Sequence, residues 1–230
     1  MPETELQLNN PSLIENLPKQ LGLFSVQCNE PILPGQWLVN KAKQYPVFRQ
    51  TNHQVQFIAA IDSDMSGKFK IAGTPLQIPD DGRQLLLLAD EQAVCSMLFI
   101  IKHLQETLGL AKLRQQLKII LLGASSFPFK AVPSRFIVSS IVPDMPIDSI
   151  ASAQLFEDLA LPARLASPVG AAGCFDGSLM QMLEKTFSDK GIEDDTLVIA
   201  MGSRSLISGI KKLLVGSADK QLLIEFESEL

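Results

Sequence analysis

The sequence predicts a two-part chain. A small N-terminal antiparallel β-barrel, complete or incomplete, is followed by a doubly wound, mostly parallel α/β unit. Three observations carry this. Residues 1–81 hold short apolar runs broken by frequent turns. From Gly82 onward strand-like runs alternate with helical patterns, which implies parallel strands joined by helices on both faces. Between the two, Asp80 to Leu108 reads as turn, buried strand, polar bend and helix, the opening of a βαβ unit. The division expected is 1–81 and 82–230.

Taken in order, residues 1–20 are polar with two prolines and predict a loose arm or strand entry. Leu23–Cys28 is a candidate strand, and Pro31, Pro34 and Gly35 mark a tight turn. Trp37–Asn40 and Gln54–Ile61 follow as strands, the second with Val55, Phe57, Ala59 and Ile61 on one face. DSDMSG at 62–67 is a hairpin-like loop, and Phe69–Ile71 and Leu76–Ile78 flank a Gly73-Thr74-Pro75 turn. Gln84–Ala89 is nearly all apolar, which suits a strand buried on both faces. Met97, Leu98, Ile101, Leu104 and Leu108 then recur at helical spacing. Further strands are expected at Lys118–Leu122, Phe136–Ile141, Thr196–Ala200 and Gln221–Phe226, with a short run at Ala163–Ala166. Helical patterns lie near Ile150–Leu159, Ser178–Ser188 and Leu206–Leu214. Phe127–Ile147, with several prolines and an apolar centre, reads either as an edge strand with loops or as a partner-binding segment.

Bulk properties exclude several classes. An apolar share of 46% with 20% charged residues suits a globular protein with a real core. A net charge of −5 argues against nucleic acid or an anionic membrane as the main partner. No window of about 18 apolar residues predicts a membrane span, and the N-terminus lacks a basic start and an apolar signal core. Cys28, Cys95 and Cys174 are scattered, which fits a reducing compartment, and a cytoplasmic location is expected. No metal motif is present, and two histidines leave no room for a His cluster. Gly123-Ala124-Ser125 and Gly202-Ser203 lack the G-x-S-x-G elbow, so a hydrolase is disfavoured and no catalytic residue is assigned.

In open α/β sheets ligands bind where strands end and helices begin, so the bend Ala89–Cys95 is the first candidate site. Asp90 and Glu91 there have a plainer role as a solvated loop capping a helix. Gly202-Ser203 can cap the helix that follows, and the same cap points N–H groups at a ligand phosphate. Gly170, Gly173 and Gly177 are turn glycines that can also admit a ligand closely. Cys95 and Cys174 read as small buried apolar residues rather than nucleophiles.

Several stretches, in order, resemble the ferredoxin–NAD(P) reductase family. Pro34-Gly35-Gln36-Trp37 is similar to its P-G-Q-[FY] turn, and Gly73-Thr74-Pro75-Leu76 to the G-P-L-G turn that ends its β domain. Leu85–Leu98 resembles the strand, bend and helix that receive the nicotinamide dinucleotide. Gly170–Leu183 resembles the G-x-x-G-[FY]-[VT]-[TD]-x-[LV]-L segment, Thr196–Leu214 the closing unit, and Leu222–Glu229 the last strand. Within the family the set is most similar to the electron-transfer subunit of dihydroorotate dehydrogenase. The resemblance implies a flavoprotein that binds FAD and NAD(P)H and passes electrons to a protein partner. It places Arg49 and Thr51 on the flavin, with Gly73, Thr74 and Gly173 beside the cofactors. Asp90, Glu91, Gly202 and Ser203 would line the dinucleotide crevice.

The departures from the pattern motivate a second reading. The family's bend is glycine-rich, because a bare backbone lets pyrophosphate approach the helix. Here it is Ala89-Asp90-Glu91-Gln92-Ala93-Val94-Cys95, close to the G-D-E-T-A-L-P of siderophore-interacting flavin reductases. The C-G-P of the closing unit is Met201-Gly202-Ser203, and Arg49-Gln50-Thr51 lacks the flavin motif's aromatic. Four cysteines for a [2Fe–2S] cluster are missing, so no iron–sulfur cluster is expected. The alternative is a non-catalytic binding or regulatory protein of the same fold, working as a homodimer or with another protein.

Overall fold

The computed structural model describes residues 11–17, 20–138, 141–187, 191–214 and 220–226. Its first half is antiparallel. Strands β1 (Ser12–Leu17), β2 (Leu21–Gln27), β5 (Val47–Thr51) and β6 (Gln54–Ala60) form a sheet in the order β1-β2-β6-β5. Strands β3 (Gln36–Asn40), β4 (Lys43–Tyr45) and β7 (Lys70–Gly73) form a second, in the order β4-β3-β7. Among the described residues these two sheets do not close into a barrel. They pack over an aromatic centre. On β6 the alternation Val55, Phe57, Ala59 turns inward against Phe24, Val47 and Tyr45, while Ile61 falls beyond the strand and is exposed.

The second half is a six-stranded parallel sheet in the order β13-β12-β9-β8-β14-β15. Its strands are β8 (Gln84–Asp90), β9 (Leu117–Gly123), β12 (Ala163–Ser167), β13 (Phe175–Asp176), β14 (Thr196–Gly202) and β15 (Gln221–Glu225). Its central strands are apolar on both faces, and the faces divide by period two. Leu85, Leu87 and Ala89 face one cluster, with Ile120, Leu122, Leu197, Ile199 and Met201. Leu86, Leu88, Ile119, Leu121, Val198 and Ala200 face the other. Helices α1 (Ala93–Leu108), α2 (Leu110–Gln116) and α3 (Gln154–Asp158) cover the first face; α4 (Leu179–Phe187) and α5 (Arg204–Leu213) cover the second. Helix α1 ends at Gly109, whose φ of 80° turns the chain while its N–H caps the Gln105 carbonyl.

Helix α1 also joins the halves. Phe99 on its outer side packs against the β-sheet core, and Trp37, Phe48, Leu76 and Ile78 of the β half pack against the α1 side of the parallel sheet. The Trp37 ring lies 5.1 Å from that of Phe226, just after β15.

Several expectations fail for local reasons. Leu76–Ile78 is not a strand: the chain leaves Gly73 with the Leu76 N–H donating to the Pro34 carbonyl. Arg49 and Thr51 lie within β5 rather than between strands. For residues 1–20, expected as a loose arm or strand entry, 12–17 is the edge strand β1; residues 1–10 and 18–19 fall outside the described residues. Among its described residues, the Phe136–Ile141 run does not pair. Residues 134–137 are irregular, residues 139–140 lie outside the description, and Val138, Val142 and Met145 cover the second face instead. Arg164 fixes this cover by donating from Nη2 to the Phe136 carbonyl at 2.7 Å. The first part of the helix expected near Ile150–Leu159 is instead β11 (Ala151–Ala153), which pairs with β10 (Ala131–Pro133); Gln154–Asp158 is helical. The short helix α2, close behind α1, was not foreseen in the periodicity.

Candidate functional site

Strand order places the site. From β8 the chain proceeds to β9 and β12 on one side, then crosses to β14 and β15 on the other. The carboxyl ends of β8 and β14 therefore flank a topological switch point, where open parallel sheets present a crevice. Asp90 ends β8 and Gly202 ends β14.

Asp90 reaches across this crevice. Its Oδ1 accepts the Ser203 N–H at 2.7 Å, and its Oδ2 accepts the Ser203 hydroxyl at 2.6 Å. The Ser203 Oγ in turn accepts the Leu206 N–H at 3.2 Å, capping α5. Asp90 thus supports the cap of a helix 113 residues away, not the start of its own. A Cβ at Gly202 would lie 1.8 Å from Asp90 Oδ1, and the φ of 153° there suits glycine. The glycine is present so that the carboxylate can rest on the backbone.

Glu91 turns the other way. Its φ of 47° puts a side chain where glycine sits easily, at a cost of about 1 kcal/mol. Its N–H donates to the Gly123 carbonyl at the end of β9. Its carboxylate accepts the Ser125 N–H at 3.2 Å and the Ser125 hydroxyl at 3.2 Å. The two acids therefore clasp both neighbours of β8. Neither caps α1, whose N-cap is Gln92 and carries no side-chain bond.

Burial raises the Asp90 carboxyl above its ordinary value of 3.8; the Ser203 bonds oppose this and the Glu91 charge adds to it. The folded protein thus holds the Asp90 proton more tightly than the unfolded chain does. Stability from this group falls as pH rises from about 4 through the folded value, and the whole penalty is present above it. Asp90→Asn, which has no charge to desolvate and can still accept the Ser203 N–H, is expected to keep or raise Tm at pH 7. Below pH 4 that advantage disappears. Melting curves from pH 3 to 7 check this, and parallel Tm profiles for the two proteins would contradict it.

Beside the bend lies a cleft of about 640 Å³ between the β half and the parallel sheet. Gln44, Tyr45 and Pro46 line it from the β4–β5 corner, with Ile58 and Ala60 from β6. Glu91, Gln92, Cys95 and Ser125 line it from the parallel sheet. Tyr45 is 4% exposed, and among the described residues neither its hydroxyl nor the Gln44 Oε1, both buried behind this wall, has a hydrogen-bond partner. Buried polar atoms are ordinarily paired, so these two are exceptions. Cys95 is buried, and desolvation pushes its thiol up to about 12, so it stays protonated.

The structure brings Asp90, Glu91, Gly202 and Ser203 together. Arg49 and Thr51 are exposed on β5 and do not line the cleft. Gly73 and Thr74 interlock with the Pro34-Gly35 turn: a Cβ at Gly73 would meet the Gly35 carbonyl at 2.4 Å, and one at Gly35 the Thr74 carbonyl at 2.4 Å. Gly173 offers its carbonyl to the Ile150 and Ala151 N–H groups and so fixes β11. Its neighbourhood is packing, not the cleft. Tyr45, Gln44 and Ser125 escaped the sequence reading. The available signal was the chain's single tyrosine standing just before Pro46. Among the described residues no cluster of His, Cys, Asp or Glu could hold a metal ion, and no helix is long and apolar enough to cross a membrane.

No protein-family profile and no curated protein sequence matches the chain. Solved structures do resemble it in fold. A ferredoxin–NADP+ reductase from Plasmodium falciparum, solved with 2'P-AMP, superposes with a TM-score of 0.64 at 8% identity, covering 98% of each chain. The FAD/NAD-binding domain of nitric oxide dioxygenase from Vibrio cholerae gives a TM-score of 0.60 at 11% identity, covering 97% of this chain and 100% of that one. An intact type IV self-sufficient cytochrome P450 monooxygenase gives 0.63 at 12% identity, but the present chain spans only 28% of its length. The antiparallel sheets followed by a six-stranded parallel sheet are thus the fold of ferredoxin reductase-like FAD/NAD-binding domains.

Proposed function

We propose that the chain is a flavin-dependent electron-transfer module that takes electrons from a reduced nicotinamide nucleotide and passes them to a protein partner. The cleft carries this reading. Its volume suits a flat ring system, and it lies between the two halves at the carboxyl ends of β8 and β9. The Gln44 and Tyr45 side chains belong to the wall that the ring would face. Arg49, exposed on β5 outside the cleft lining, is the cation that the motif resemblance assigns to flavin phosphate. A bound flavin supplies the redox chemistry, while the chain positions the ring and excludes water. The sequence motifs favour a role like that of the electron-transfer subunit of dihydroorotate dehydrogenase, in a reducing cytoplasm.

An absorbance spectrum of freshly purified protein, followed by fluorescence after heat release, tests this. Flavin bands with near-stoichiometric release are expected. A protein that stays colourless after incubation with FAD overturns it. That result would favour the second reading, a binding or regulatory protein that keeps the fold without the redox cofactor. The observation behind the second reading is the pair of clasps at Asp90 and Glu91, which already occupy donors that a dinucleotide would use.

A further inference from the structure

Beside the switch point, four donors are the Ser203 N–H and hydroxyl on one side of β8 and the Ser125 N–H and hydroxyl on the other. All four are directed at carboxylates from one dipeptide. These are the groups on which an anionic ligand would draw. The Asp90 carboxylate also fills the space over Gly202, within van der Waals overlap of any side chain placed there. A phosphate entering at the bend would meet two negative charges and no free donor among these four. The adjoining cleft adds Asp62 and Asp64 to its lining, with Lys43 as the lining cation. Its far wall holds the buried, unpartnered Tyr45 hydroxyl.

We infer that Asp90 and Glu91 are resident anions that weaken the hold of the bend on pyrophosphate, so that a nicotinamide nucleotide binds there only loosely. The inference rests on the reading of the cleft as a ring site, but it concerns the bend rather than the flavin. In the folded protein the two carboxylates satisfy the donors that a pyrophosphate would otherwise recruit. Nucleotide binding must therefore displace them or avoid them, and either route weakens it.

The test uses ADP-ribose, which carries the pyrophosphate without the nicotinamide ring. Calorimetric titrations would compare the full chain with Asp90→Asn, Glu91→Gln and the double variant, each first checked for folding by circular dichroism and melting. The double variant is expected to bind ADP-ribose at least tenfold more tightly than the parent, with Glu91→Gln alone giving a smaller gain. Riboflavin, an uncharged ring, should bind parent and variants with the same affinity. Equal ADP-ribose affinity in the parent and every folded variant, whether tight or undetectable, overturns the inference. So does a gain for riboflavin as large as that for ADP-ribose. Should Asp90→Asn fail to fold, Glu91→Gln decides alone. The flavin spectrum of the parent is independent of all these outcomes, so the two ideas fail separately.

Discussion

Replacing Phe57 by alanine is expected to lower stability by about 3–5 kcal/mol. Phe57 is fully buried at the middle of β6, in register with Phe24 on β2 and Val47 on β5. Its ring lies 5.8 Å from Phe24, 5.3 Å from Tyr45 and 5.6 Å from Phe69. No neighbouring backbone can collapse into the space, because both flanking strands are held by the sheet ladder. The cavity term therefore adds to the lost transfer energy. For a chain of this size Tm should fall by roughly 6–20 °C, measurable by calorimetry or a denaturant midpoint. Tyr45 rests on Phe57 and lines the cleft, so any ring ligand should weaken as well. A loss below about 1 kcal/mol would mean that the two antiparallel sheets do not pack around this ring.

Gly202→Ala is the second large effect, expected at about 2–4 kcal/mol. The added methyl must occupy a position 1.8 Å from Asp90 Oδ1, at a φ of 153° that side chains avoid. The carboxylate swings away and leaves the Ser203 N–H and hydroxyl without their acceptor. The effect should be coupled. In an Asp90→Ala background the clash with the carboxylate vanishes, leaving only the closer contact with Leu206, so the double mutant should be more stable than the sum of the single losses predicts. A coupling of about 1–2 kcal/mol in a denaturation cycle is the expected result. Strict additivity would show that Asp90 and Gly202 do not touch.

How far the sequence carried depends on the kind of signal. The parallel sheet was legible because Gln84–Ala89, Lys118–Leu122 and Thr196–Ala200 are apolar after their first residue, and the first and last are each followed by a helical pattern. Helix α1 was legible to its ends because Gly109 stops it and a polar bend starts it. The segment Phe127–Ile147 was not, because an apolar run that covers a sheet has the same composition as one that joins it. Only the hydrogen bond from Arg164 to Phe136, between residues 28 apart, distinguishes the two. Strand β5 was lost for a similar reason: Phe48-Arg49-Gln50-Thr51 has one apolar face too short to count.

At the site, Asp90, Glu91, Gly202 and Ser203 lie at the strand ends where the sequence reading put them. Their chemistry was not visible. A carboxylate that awaits a ligand and one that substitutes for it are the same letter. The distinction lies in the Ser203 and Ser125 contacts, which require the crossover from β12 to β14 and the neighbouring end of β9. Gly73 shows the converse. Its motif resemblance pointed to a cofactor, while in the fold its missing side chain makes room for the Gly35 carbonyl.

The packing of α1 bears on how such a protein can be taken apart. We propose 1–81 and 82–230 as an architectural division, marked by the change from antiparallel to parallel strands. It is not a seam in the interior. Cut there, the second piece would carry Phe99 without its aromatic socket, and the first would carry Trp37, Phe48, Leu76 and Ile78 with nothing to cover them. A gene fragment ending at Asp81 encodes half a surface rather than a module. Any recombination that exchanges the antiparallel half must therefore bring along a matching face for α1, and the two halves are constrained to diverge together.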